Sequence, residues 1–267
     1  MKFARGMFDI MSAMQNKARL RYWDIALADY AEVMETFDCW RSDGGRHYVC
    51  FCDANGLAHG WRDEELQRAY KGADAVFADG VSLKWLAKIS DGKIPRHVMG
   101  PVLFEKAIEF GVAKGWRHFF YGAAPGTAEK LKANMEKKFP GVQIAGTFAP
   151  PFGEMDSAEW ERVKGMIAES RADFLWVALG SPKQEKWTHA HYREVPVPIV
   201  LPVGAAFDFH AGTVKLSPMW VQRAGLNWLW RLLTGGRRVF KRNAWCLPRA
   251  LLILAAEFWR IRICGGK

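Results

Sequence analysis

The chain has 267 residues, half of them hydrophobic and a quarter charged. That suffices for a large α/β domain with an appendage, and it excludes global disorder. The formal net charge is +10, and the five cysteines (Cys39, Cys50, Cys52, Cys246, Cys264) are odd in number and irregularly spaced. They form no disulfide framework and point to a reducing compartment.

Residues 1–14 carry Phe3, Met7, Ile10, Met11 and Met14 at helical spacing, but charges interrupt them, so no signal-peptide core is present. After an irregular start, strand-like and helix-like segments alternate. His47–Cys52 is a strand in which Cys50 and Cys52 read as small core residues rather than zinc ligands. A helix is predicted over Asp63–Tyr70, a strand over Asp74–Phe77 and a helix over Val81–Ile89. Next come strand Arg96–Met99, helix Val102–Ala113, strand Arg117–Tyr121 and helix Gly126–Lys138. Strand Val142–Ala145, helix Ser157–Glu169 and strand Asp173–Leu179 follow. Pro182 sits at a favoured helix start, and Val197–Val203 is a further apolar strand. Alternation of this kind predicts βαβ units and a parallel sheet, and the apolar run Phe174–Leu179 predicts strands covered on both faces.

The composition shifts near residue 216, where Trp- and Arg-rich helical sequence takes over, placing a domain edge around 215–235. Between Arg231 and Lys267 nine Lys/Arg face one acid, Glu257, among Trp245, Leu251, Leu252, Phe258 and Trp259. Basic residues mixed with large apolar ones suit a helix lying in an anionic headgroup layer. The apolar stretch Ala250–Ala256 is too short to span a bilayer. The expectation is a cytoplasmic protein held peripherally at a membrane. Without lipid, such a tail can self-associate. No nucleic-acid motif accompanies the charge, so a nucleic-acid partner is not expected.

Ligands of an open parallel sheet bind at the strands' carboxyl ends. Five polar or glycine-rich turns stand there: Asp53–Gly56, Ala78–Gly80, Gly122–Gly126, Gly180–Lys186 and Gly204–Phe209. Gly122 and Gly126 open a helix where backbone amides can approach a phosphate, or else simply make a turn. No G-x-G-x-x-G follows the first strand and no Walker A sequence occurs, which disfavours nicotinamide cofactors and P-loop ATP use. There is no Asp-x-Asp pair either, so a metal on a nucleotide diphosphate is not expected. Lys183, Gln184, Glu185 and Lys186 reach a helix start together, where they bind sugar or phosphate groups or form a solvated first turn. Asp79 reads equally as a carboxylate facing the crevice and as the cap of the helix beginning at Val81.

The blocks Ala78-Asp79-Gly80, Phe119–Gly126, Val177–Trp187, Val203–Gly212 and Gly225–Leu232 resemble, in order, those of the WecG/TagA/CpsF glycosyltransferases, over roughly residues 45–243. The resemblance implies a Rossmann-like α/β domain over 46–233, preceded by a helical or irregular segment over 1–45. A basic amphipathic appendage over 234–267 would contact membrane and help close the site. It implies an inverting transfer of a hexose or N-acetylhexosamine from a UDP-sugar to a polyprenyl-diphosphate-linked saccharide, in surface or exopolysaccharide assembly, with no cofactor and no metal. Asp79 matches the family's general base. Gly122, Gly180, Lys183, Gln184, Gly204, Phe207 and Asp208 would line the donor site. Asn55 and the tail residues Arg237, Arg238 and Arg242 would meet the acceptor or its diphosphate. The chain departs from the family pattern at Ala78, Asn55, Val102, Asn227 and Gly235-Gly236, where a proline, a histidine and several acids are usual. Those departures motivate a competing reading as a non-catalytic nucleotide-sugar-binding scaffold at the membrane.

Overall fold

The computed structural model describes residues 14–151, 153, 155–215, 217–218, 220–221 and 227–264. The helical spacing expected over 1–14 falls, apart from Met14, outside them, as do Leu216 and 222–226. The side chains of Asn227 and Arg238 lie outside them too.

The lead-in contains a two-stranded antiparallel ribbon, β1 (Lys17–Ala18) with β2 (Ile25–Ala26), followed by helix α1 (Tyr30–Trp40). α1 opens with a capping box: Asp29 accepts from the Ala31 and Glu32 amides while Glu32 accepts from the Asp29 amide. Strand β3 (His47–Cys52) then runs into α2 (Ala54–Gly60), so the turn expected at Asp53–Gly56 is a helix start, with Asp53 accepting from the Gly56 amide. α3 (Glu64–Gly72), β4 (Ala75–Ala78) and α4 (Val81–Asp91) follow as predicted.

The strand expected over Arg96–Met99 does not form. Residues 93–99 are irregular and lead straight into α5 (Gly100–Lys114), which carries Pro101 in its first turn. β5 (Arg117–Gly122), α6 (Thr127–Lys138), β6 (Gln143–Phe148), α7 (Ser157–Ser170), β7 (Phe174–Ala178), α8 (Lys183–His191) and β8 (Ile199–Pro202) complete the alternation. Pro182 stands one place before α8 rather than as its first residue. After the short α9 (Ala206–His210) come α10 (Asn227–Thr234) and the long α11 (Gly236–Cys264).

Six strands form one parallel sheet in the order β4-β3-β8-β7-β5-β6. Side chains alternate between two buried faces, so β4, β7 and β8 are buried along their whole length and read as continuous apolar runs, while edge strand β6 is only partly covered. Val49, Phe51, Phe120, Phe174 and Trp176 meet α1, α5, α6 and α9 on one side. Tyr48, Cys50, Cys52, Phe119, Tyr121, Leu175 and Val177 meet α3, α7 and α8 on the other. Burying each such Val, Leu or Phe favours the fold by about 1.5–3 kcal/mol over leaving it exposed.

α11 docks on this frame against α2 and α4, above the ends of β3 and β4. Its buried residues Asn243, Cys246, Ala250, Ile253 and Glu257 recur every three or four positions, a single helical stripe. The opposite side leaves Phe240, Leu251, Leu252, Phe258, Trp259 and Ile263 exposed. Among the described residues no helix is long and apolar enough to cross a membrane.

Candidate active site

The chain leaves β5 toward β6 on one side and β7 toward β8 on the other, so the connections diverge between β5 and β7. Divergence of this kind opens a crevice at the carboxyl ends of a parallel sheet. Along that edge the strand-end turns stand in the order Asp79, Asp53, Gly204, Gly180, Gly122. At ~4.8 Å between strands, Asp79 lies roughly 10 Å from the end of β8 and roughly 14 Å from that of β7. An extended nucleotide-sugar can lie along such an edge.

Asp79 follows β4 directly. Its backbone N–H donates to Cys52 O at 3.0 Å, which continues the β3–β4 pairing by one residue. The competing reading of Asp79 as a helix cap does not hold: the cap of α4 is Gly80, and no side chain caps that helix. Gly80 lies against Asp53, whose Cα would stand 3.4 Å from a Cβ added there. Two carboxylates, Asp53 and Asp79, therefore end neighbouring strands. Asp53 is engaged by the Gly56 amide, and Asp79 is half-buried.

Two groups from segments whose role was not read from the sequence surround Asp79. The Tyr30 hydroxyl of α1 accepts from the Met99 N–H at 3.0 Å. Burial, and secondarily the Asp79 charge, raise its pKa to about 12, so it stays a neutral hydroxyl. The His97 imidazole bonds to the Asp79 backbone. Burial holds its pKa below the usual histidine value, with the nearby Lys84 charge adding to the effect. The Asp29-x-x-Glu32 capping box was the available signal for α1 and hence Tyr30; nothing in the sequence pattern marks His97.

The donor-side residues divide into two groups. Gly180 (φ +80°) and Gly204 (φ +52°) adopt left-handed conformations in adjacent turns, and Gln184 bridges them. Its Oε1 accepts from the Gly180 N–H at 3.1 Å and its Nε2 donates to Pro202 O at 3.2 Å. Gly122 (φ +111°) is pressed against the neighbouring strand end, where an added Cβ would meet Ala178 O at 2.5 Å. Ala123 also takes positive φ (65°), a strained choice for a residue with a Cβ, and donates to the same carbonyl at 2.7 Å. Lys183 stands exposed at the first position of α8.

Phe207 and Asp208 are placed otherwise. The Phe207 ring is fully buried among Phe104 and Phe120, so its side chain belongs to the core and only its backbone borders the turn. Asp208 closes a local turn, its carbonyl accepting from Thr213 N–H at 3.0 Å and its Oδ1 facing the Thr213 hydroxyl at 3.4 Å. Asn55 is buried in the first turn of α2 with an unpartnered Oδ1. Arg237 is exposed at the start of α11, and Arg242 is half-buried with an enclosed, unpartnered Nε.

Glu185 stands beside Gln184 and is 1% exposed. Burial raises its carboxyl to about pKa 7; the bond to its own backbone and that from Gln184 Nε2 (3.2 Å) oppose the rise. It sits beneath the crevice floor near Asp53, Cys50, Cys52 and Tyr70. Glu185 is therefore neither a sugar- or phosphate-binding group in the crevice nor part of a solvated first turn, the two readings its place beside Lys183 and Lys186 suggested: the first turn of α8 directs Gln184 and Glu185 into the interior.

The profile of the Glycosyl transferase WecG/TagA/CpsF family matches residues 20–263. The chain belongs to this family. It is a glycosyltransferase, and the strand-end turns described above lie within the matched residues. The chain is 31% identical over 227 residues to the N-acetylglucosaminyldiphosphoundecaprenol N-acetyl-beta-D-mannosaminyltransferase of Bacillus spizizenii strain W23, covering 84% of this chain and 86% of that protein. It is 25% identical over 196 residues to the protein of the same name from Bacillus subtilis strain 168, covering 73% and 74%. A Staphylococcus aureus protein of that name is 23% identical over 167 residues, covering 62% and 64%.

Proposed function

We propose that this glycosyltransferase moves a hexose or N-acetylhexosamine from a UDP-sugar to a polyprenyl-diphosphate-linked saccharide, with inversion, in the assembly of a surface or exopolysaccharide. The observation that carries the reading is the position of Asp79. Its carboxylate ends β4 on the same sheet edge as the Gln184-braced turns at Gly180 and Gly204. The relatives named above support the substrate class through what their names say they act on.

In this mechanism the donor lies along the edge, its diphosphate over the turns of β5, β7 and β8. Asp79 takes the proton of the acceptor hydroxyl as that oxygen attacks the anomeric carbon. The bond from that carbon to the UDP oxygen breaks on the opposite face, and the configuration inverts. Lys183 at the start of α8 and the positive N-terminal end of α6, which begins after the Gly122–Gly126 turn, meet the charge gathering on the departing UDP, while the Gly180 N–H stays with Gln184. Arg237, Arg238 and Arg242 of the tail add positive charge on the acceptor side.

The protein works at the cytoplasmic face of a membrane, where its acceptor is anchored. α11 supports this placement: Leu251, Leu252, Trp259 and Ile263 are exposed alongside Arg249 and Arg262. The test is UDP release by the full chain with UDP-sugars and a prenyl-diphospho-N-acetylglucosamine acceptor. Acceptor-dependent release that is lost in Asp79→Asn is expected. UDP binding with no release on any acceptor would overturn the reading in favour of a binding scaffold.

A further inference from the structure

α4 carries two faces of different character. Leu83, Leu86 and Ala87 are buried, and α11 packs against this helix. Val81, Lys84, Trp85 and Lys88 recur at the spacing of one helical stripe and, with Ile94 from the segment that follows, line an open groove of about 240 Å³. Trp85 is 53% exposed and Ile94 57%, a large apolar surface for solvent to cover. The Lys88 ammonium lies 5.3 Å from the centre of the Trp85 ring, so cation and apolar face belong to one surface. Neither the sequence blocks nor the donor-side turns include these residues.

The groove begins where the proposed chemistry ends. α4 starts two residues after Asp79, and Lys84 is close enough for its charge to act on His97, whose imidazole bonds to the Asp79 backbone. Lys84 and Lys88 stand roughly 5 and 10 Å along the helix axis from Val81, at 1.5 Å per residue. An acceptor whose sugar hydroxyl meets Asp79 places its diphosphate one sugar ring away. A diphosphate diester carries two negative charges, which matches two lysines, and is followed by hydrocarbon, which matches Trp85, Val81 and Ile94.

We propose that this groove is the acceptor subsite, with Lys84 and Lys88 binding the diphosphate and Trp85 and Ile94 covering the first isoprene units of the lipid. The inference rests on the transferase reading above for the direction in which the acceptor lies. It gives this stripe of α4 a single occupant.

The experiment measures binding, which needs no turnover. Calorimetry on the full chain compares farnesyl-diphospho-N-acetylglucosamine with its methyl-diphospho counterpart, and UDP is titrated separately. The double variant Lys84→Ala/Lys88→Ala is expected to weaken both acceptor probes at least tenfold. Trp85→Ala is expected to weaken the farnesyl probe about tenfold and the methyl probe less than twofold. UDP affinity and thermal midpoint should hold in all variants, because Trp85 and Lys88 are exposed and Lys84 is outside the buried face of α4. Farnesyl-probe affinity within twofold of wild type in the double lysine variant would overturn the proposal. So would a loss confined to sedimentation with phosphatidylglycerol vesicles, which would make the groove a general membrane contact. Wild-type protein that binds both UDP and the farnesyl probe but releases no UDP from any UDP-sugar would sink the transferase reading and leave the subsite standing.

Discussion

Gln184 holds Gly180 from one turn of helix later, its Oε1 accepting the glycine N–H at 3.1 Å. The same amide donates to Pro202 O on the adjacent strand, so one side chain fixes the distance between two strand-end turns. Gln184 is 5% exposed, so most of its hydrogen bonding is spent on the protein itself. Its first effect on a donor is to set the backbone the donor would meet.

This brace predicts a linked pair of phenotypes. Gln184→Ala leaves the Gly180 amide and the Pro202 carbonyl without their partner, a loss of about 1–3 kcal/mol. Gly204→Ala forces a Cβ to 2.8 Å from Gln184 Oε1 at φ +52°. Both variants should raise the KM for UDP-sugar about tenfold or more while acceptor KM changes less than threefold. Initial-rate kinetics with each substrate varied in turn would check this.

Asp79→Asn keeps the shape of the side chain and removes its basicity. General-base contributions of about 10²–10⁴-fold are usual, so kcat should fall by that factor. UDP affinity measured by calorimetry should stay within threefold, because the donor turns belong to other strands. Equal losses in kcat and UDP affinity would instead assign Asp79 to holding the fold of the crevice.

Glu185 links stability to pH. Its carboxyl is raised to about 7 by burial, against about 4.3 in an unfolded chain. Below pH 4.3 it is protonated in both states and carries no penalty. As pH rises from about 4.3 to about 7 the unfolded chain gives up this proton and the folded protein keeps it, so stability falls across that window and then levels. Glu185→Gln retains an acceptor for Gln184 Nε2 and has no charge to bury. Its thermal midpoint should match wild type at pH 4 and exceed it at pH 8, where the stability difference is on the order of 4 kcal/mol at most. Melting curves at several pH values would read this directly, and a constant difference across pH would contradict it.

α11 presents its exposed Leu251, Leu252, Trp259 and Ile263 next to arginines. Leu251→Ser/Leu252→Ser should reduce sedimentation with phosphatidylglycerol vesicles by about tenfold or more, since each buried leucine contributes about 1.5–3 kcal/mol. Wild-type binding should weaken between 0.1 and 0.5 M NaCl, as exposed arginine–phosphate attraction is screened. Binding that ignores both changes would remove α11 from the membrane contact.

The sequence by itself determined the parallel sheet, because apolar runs ending in glycine-rich turns and alternating with amphipathic helices leave few other folds. It determined Asp79, the Gly180 and Gly204 turns and Gln184 as the residues at the carboxyl ends of strands, and the basic apolar character of the tail. Local pattern misread Arg96–Met99 as a strand, since a short β-branched and polar stretch forms one only where a neighbouring edge is available to pair with. It gives no role to Tyr30 and His97, whose partners lie far along the chain, and it places Glu185 at a ligand or in solvent where the closed fold buries it.

Only the tertiary structure decided what each side chain faces. Phe207 lies in the core and Asp208 in a local turn, although both stand in a block that reads as a binding loop. Gln184 braces two strands because β7 and β8 are neighbours, and Asp79 meets Tyr30 and His97 because α1 and the 93–99 segment pack at the end of β4. The physical reason is that periodicity records whether a residue is inside or outside, a property of its own element. Hydrogen bonds and charge contacts between elements depend on sheet order and helix packing, which the chain sets only once it has closed on itself.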